Sequence, residues 1–147
     1  MMAKGKYFVR KKKKGKSDMK ETITIIIVLL IIFGGAIYVQ YLLDETSAEI
    51  NDKLDLLKEK ILNEQQNNSE EIEKLMEEIL QKWEEINESW SIIILHSELD
   101  SIQVSLTRLS AQIKEGELDK TLEELETSKF LINHIKEKEG FSLKNIF

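Results

Sequence analysis

Residues 22–43 carry no charged side chain, and this constrains the chain more than any other feature. The centre of the run is Ile23, Thr24, then Ile25 through Phe33 with every residue apolar. Wound as a helix, 22 residues reach about 33 Å, close to the ~30 Å of a bilayer hydrocarbon core. A wholly apolar helix of this length rarely belongs to the core of a small soluble domain. Tyr38 and Tyr41 stand at the far end, where amphipathic aromatics favour the membrane–water interface. The run therefore reads as a transmembrane helix.

Charge is divided on either side of it. Residues 1–20 hold nine Lys or Arg against Asp18, a net of +8. Residues 44–147 hold 12 basic and 25 acidic residues, a net of −13. The positive-inside rule then keeps the N-terminus in the cytoplasm and puts the acidic part outside. A cleaved signal peptide has a similar basic start, and Gly34, Gly35 and Ala36 supply small residues for a cut after Ala36. The apolar stretch resumes with Ile37, Tyr38, Val39, Leu42 and Leu43, which favours an uncleaved signal anchor. The expected organisation is a basic cytoplasmic tail (1–21), a transmembrane helix (22–43) and an extracytoplasmic helical domain (44–147).

The tail reads first as a topology determinant. Contact of Lys11, Lys12, Lys13 and Lys14 with anionic headgroups follows from that role, at about 1 kcal/mol per basic residue near the surface. Nucleic acid is not an expected partner, since aromatics other than Tyr7 and Phe8 do not interleave with the basic residues. The chain has no cysteine, which removes disulfides, thiolate metal sites and cysteine nucleophiles. It also has no proline, so long helices are permitted.

Three helical stretches follow residue 44, and no alternating strand pattern of any length appears. In the first, Ile50, Leu54, Leu57 and Ile61 recur at helical spacing. The polar run at 65–69 interrupts it, and Asn68 or Ser69 suits the N-cap of the next helix. The second stretch, 70–114, contains no Gly or Pro. It opens in one heptad register (Ile72, Met76, Ile79, Trp83, Ile86, Trp90, Ile93) and closes in another (Ile92, Leu95, Leu99, Ile102, Leu106, Leu109, Ile113). The slip of one residue turns the apolar stripe by about 100°. Either the helix bends near residues 87–91, or it stays continuous and each half meets a different partner. The third stretch follows Gly116, with Leu118, Leu122, Leu125, Ile132 and Ile135 as its stripe and Phe130 and Leu131 widening it. Gly140 is its expected stop. Residues 141–147, four of them apolar, are expected to dock on the helices, so that deleting them lowers the melting temperature. The fold class is all-α: one N-terminal transmembrane helix, then an antiparallel hairpin or bundle with a long central helix.

A hairpin centred on Gly116 brings the only two histidines, His96 and His134, to one level, near Trp90 and the tail. Asp100 lies one turn from His96. Two imidazoles and a carboxylate are a possible metal or ligand site. The preferred reading is a buried polar layer, in which an imidazole donates to Asp100 or to the tail backbone and fixes how the helices fit. No metal or cofactor is assigned. Trp83 and Trp90 occupy heptad positions and read as core, with a ligand-stacking platform as the alternative. The glutamate pairs opposite the apolar stripe read as solvated faces. Ser97 and His96 are adjacent, but on a helix they point in different directions and form no dyad. The expectation is a non-enzymatic membrane protein whose outer domain meets a protein partner or itself, or serves envelope structure. The alternative is a membrane-tethered sensor or ligand-binding domain centred on His96, His134 and Trp90.

The second half also resembles an uncharacterised bacterial family of small membrane-anchored helical proteins, domain of unknown function four-three-six-three. The resemblance is carried by Trp83, Trp90, His96 through Ile102, Ser105, Leu106, Arg108, Leu109, the stretches 129–131 and 134–135, and the closing residues 142–147. It implies a helical, membrane-anchored protein and says nothing of an activity.

Overall fold

A computed structural model describes the backbone of residues 14–63 and 69–144 and the side chains of 19–63 and 69–139. It contains four helices: α1 (Lys14–Asn63), α2 (Ser69–Trp90), α3 (His96–Glu115) and α4 (Leu118–Lys144). Contacts divide the chain into two units, residues 1–37 and 38–147. Lys11, Lys12 and Lys13, residues 64–68 with most of the polar run, and residues 145–147 lie outside the described residues, and the side chains of Lys14 and of 140–144 are not described.

In the first unit, the N-terminal part of α1 leaves its apolar side chains uncovered. Ile23 and every residue from Ile25 to Phe33 are exposed by 40% or more. The Thr24 hydroxyl donates to the Lys20 carbonyl at 2.9 Å, which satisfies it within the helix. A Cβ added at Gly34 or Gly35 would meet nothing within 4 Å. By length and composition this helix can cross a membrane, a description that an anchor and a signal sequence share.

The second unit is a bundle of four helices around one apolar core. Its register is legible in cross-helix pairs. Glu49–Lys82, Lys53–Glu78 and Lys60–Glu71 run α1 antiparallel to α2. Asp44–Lys136, Asn51–Asn133 and Asp55–Lys129 run α1 antiparallel to α4. Ser105–Ser128 and Glu98–Lys138 run α3 antiparallel to α4. The order is thus up-down-up-down, the topology that short connections favour.

The core is a stack of heptad positions. From α1 come Leu43, Ile50, Leu54 and Leu57, and from α2 Met76, Ile79, Trp83, Ile86 and Trp90. From α3 come Leu99, Ile102, Leu106 and Leu109, and from α4 Leu125, Ile132 and Ile135. Each large aliphatic or aromatic side chain so buried contributes about 1.5–3 kcal/mol of transfer free energy. Leu43, at 1% exposure, belongs to this core. Packing therefore reaches back to Val39, into a segment that hydropathy alone joins to the apolar run.

The stretch 70–114 is two helices, not one long central helix. α2 ends at Trp90, α3 begins at His96, and the chain reverses through 91–95. The one-residue slip is the reason. Once the chain folds back, both apolar stripes face the same interior, which a straight helix forbids. The amides of Ile93 and Ile94 both donate to the Trp90 carbonyl, at 2.9 and 2.8 Å, and close α2. Leu95 is extended (φ −63°, ψ 131°) and stands at the N-cap of α3. Ile92, assigned above to an apolar stripe, is 85% exposed in this connection.

Two expectations for α4 need correction. Its buried face is Thr121, Leu125, Ser128, Ile132 and Ile135, and Leu118 and Phe130 are exposed. The register is an unbroken heptad with hydroxyls at two core positions, which counting apolar residues overlooks. Nor does Gly140 stop the helix, which runs on to Lys144. A lone interior glycine costs about 1 kcal/mol relative to alanine, too little to end a packed helix. Gly116 does terminate α3: it adopts φ 72°, ψ 22°, and its amide and that of Glu117 turn back to the Ile113 and Gln112 carbonyls.

Candidate functional site

Because α3 and α4 pair about the Gly116 turn, the levels drawn from sequence can be checked residue by residue. Glu98 of α3 bridges to Lys138 of α4, and Ser105 sits opposite Glu124 and Ser128. The hairpin register is therefore close to that read from the turn. His96, Asp100 and His134, however, are all exposed. The His134 ring stacks on Phe130, with centroids 5.8 Å apart and planes at 15°. A buried histidine layer is accordingly not what joins these helices. Among the described residues no group of three or more His, Asp or Glu side chains is placed to hold a metal ion.

The buried polar layer is made of hydroxyls instead. The Ser105 hydroxyl donates to Glu124 Oε1 at 2.6 Å and lies 2.8 Å from the Ser128 hydroxyl. Ser128 Oγ is also 3.0 Å from the Glu124 carbonyl, which accepts from it. Ser105 and Ser128 are 3% and 0% exposed. Small side chains at these heptad positions let α3 and α4 pack closely, and the hydrogen bonds to Glu124 offset the cost of burying the hydroxyls. A groove of about 370 Å³ lies over this layer, lined by Asp100, Val104, Arg108, Thr127 and Leu131 among others.

Trp83 and Trp90 are both 0% exposed, so neither presents a stacking face to a ligand. Their rings meet edge to face, 5.9 Å between centroids and 85° between planes. The Trp90 indole N–H donates to the Thr46 hydroxyl at 3.0 Å, and that hydroxyl donates to the Leu42 carbonyl at 2.6 Å. This chain of bonds ties the end of α2 to the part of α1 nearest residue 38. Sequence reasoning missed Thr46 as the partner. The available signal was a hydroxyl at the start of the outer helix and a tryptophan at the end of the next.

Around the core, ion pairs run between α1 and each neighbouring helix. The Lys60 ammonium hydrogen-bonds Glu71 at 2.8 Å and, by that bond first and its charge second, holds the Glu71 carboxyl below the usual range. Lys82 is raised above the ordinary lysine value, chiefly by its hydrogen bond to Glu49. Exposed pairs of this kind contribute about 0–1 kcal/mol each and serve more to fix register.

A family model described as Domain of unknown function (DUF4363) matches residues 37–146. The match begins where contacts divide the two units. No curated protein and no solved structure matches the chain. The chain belongs to this family.

Proposed function

We propose that this member of the DUF4363 family is a single-pass, non-enzymatic membrane protein whose helical domain stands outside the cell membrane and acts by meeting another protein. The observation that carries the reading is the apolar surface from Ile23 to Ile37, exposed at every position but the half-buried Ala36. A surface of that size is stable in lipid and not in water. The basic residues before it favour a cytoplasmic N-terminus. A bundle whose interior is filled by leucine, isoleucine and tryptophan leaves its exterior as the working surface. That exterior is acidic and laced with ion pairs, which suits polar, charge-guided contacts with a protein partner or a second copy.

Crosslinking of the full chain in native membranes tests this. A discrete adduct with a second protein or a second copy is the expected result. A monomer without adducts, or a chain recovered in the soluble fraction, would overturn it.

A further inference from the structure

The outer face of the α3–α4 pair carries charged and apolar side chains that the bundle itself does not use. Asp100, Val104 and Arg108 of α3 line one groove with Thr127 and Leu131 of α4. Val104 is 48% exposed. Phe130 follows Thr127 by three residues, so it shares that side of α4, and it is 65% exposed. Asp100, Arg108 and Glu123 are exposed too, and among the described residues their side chains form no ion pair. The ion pairs between helices lie elsewhere, joining α1 to α2 and α4 and Glu98 to Lys138. Arginine and an aromatic on an open face are residue types enriched where proteins meet.

The α3–α4 register fixes the level of each residue. The Ser105 and Ser128 hydroxyls lie 2.8 Å apart and the helices run antiparallel, so each step along α3 is matched by one back along α4. Arg108 then stands level with Leu125, Val104 with Lys129 and Asp100 with Asn133. The exposed residues of α4 near these three levels include Glu123, Phe130 and His134. Each is within two residues of its level, about 3 Å along the axis.

A two-fold axis along the bundle exchanges the two helices without changing level, so that α3 of each copy lies on α4 of the other. Arg108 then meets Glu123, Val104 meets Phe130, and Asp100 meets His134, each contact being made twice. A cation faces an anion, an apolar side chain faces an apolar one, and an imidazole N–H faces a carboxylate. An axis across the bundle, centred on Val104, lays α4 on α4 instead. It brings Glu123 within two residues of the level of Glu137, and like charges oppose it.

We infer that the α3–α4 face binds a second copy of this chain, α3 of each copy on α4 of the other. The inference deepens the proposed function by naming the partner, and it rests on that reading. The face is two helices wide and about three turns long, roughly 20 Å by 15 Å. That is the scale of a small, reversible interface.

The chain has no cysteine, so single thiols report single positions. Full-length Val104→Cys and Phe130→Cys chains bearing different tags are reconstituted together in phosphatidylcholine vesicles and treated with a short bis-maleimide. A dimer holding both tags is expected, and Val104→Cys alone should give several-fold less. Arg108→Glu in both chains should cut the mixed dimer several-fold with the melting temperature unchanged. Adding Glu123→Arg to the same chains should restore it, because the pair is rebuilt with its charges exchanged. A Val104→Cys dimer as abundant as the mixed one would place α3 on α3 and overturn the inference. So would a yield that Arg108→Glu leaves intact, or a loss that Glu123→Arg fails to restore. No dimer in vesicles, with an adduct to a different protein retained in native membranes, would overturn the inference and leave the proposed function standing. No adduct in either setting would remove both.

Discussion

The bond between Trp90 and Thr46 carries a prediction that can be worked from its geometry. Thr46→Val keeps the side-chain shape and removes the hydroxyl that accepts from Trp90. The Trp90 indole N–H, in a residue 0% exposed, then has no partner in place of its 3.0 Å bond. Leaving a buried donor unsatisfied costs about 1–3 kcal/mol. For a domain of this size that lowers the melting temperature by roughly 4–8 °C for each kcal/mol. Loss of the hydroxyl's own bond to Leu42 adds little, because that carbonyl belongs to a helix already. Trp90→Phe removes the donor and leaves a void, and its cavity cost cancels when Thr46→Val is compared in the two backgrounds. Thr46→Val should therefore cost about 1–3 kcal/mol with Trp90 present and under ~0.5 kcal/mol with phenylalanine there. Thermal melts in detergent, followed by tryptophan fluorescence, suit the purpose. Both tryptophans are core residues of the bundle, so the apolar segment is silent. An equal cost in the two backgrounds would refute the pairing of α2 with the start of the bundle's α1.

Three further outcomes follow from local chemistry. Leu95→Ser gives α3 a capping serine three residues before Glu98, and should raise stability in detergent by about 0.5–1 kcal/mol in thermal melts. Gly116→Ala should lower stability by about 1–2 kcal/mol in the same melts, because φ 72° is a left-handed conformation. The Glu71 carboxyl is held below its ordinary value in the folded state, so its contribution is present above the unfolded value of about 4.3 and is lost as pH falls through the folded one. Melting temperature measured between neutral and acid pH should then fall less steeply in Lys60→Met than in the parent chain.

The residues explain how much of this was legible in advance. The apolar run, the heptads of α2 and α3 and the Gly116 turn are strong local signals, and each corresponds to an element found. The slip between Ile92 and Ile93 marked the place of the break, but periodicity alone does not separate a bend from a full reversal. Reversal is decided by the partners that both stripes need, which is tertiary information. Hydropathy joins Leu43 to the apolar run because it cannot distinguish lipid from a protein interior, and the bundle buries it. Thr121 and Ser128 were missed because hydroxyls are not expected in a core, and their burial depends on Ser105 and Glu124 facing them. His96 and His134 came to nearly the level expected, yet on the outside. Level follows from counting residues about a turn. Facing depends on the angle at which helices pack, which counting does not supply.

Cysteine accessibility in intact protoplasts tests the central claim, a membrane crossing that leaves the bundle outside. Glu115→Cys and Lys120→Cys, both at exposed positions, should react with a membrane-impermeant maleimide, while Lys4→Cys should react only after lysis. Labelling of position 4 in intact protoplasts with 115 and 120 protected, or recovery of the chain in the soluble fraction, would contradict the account.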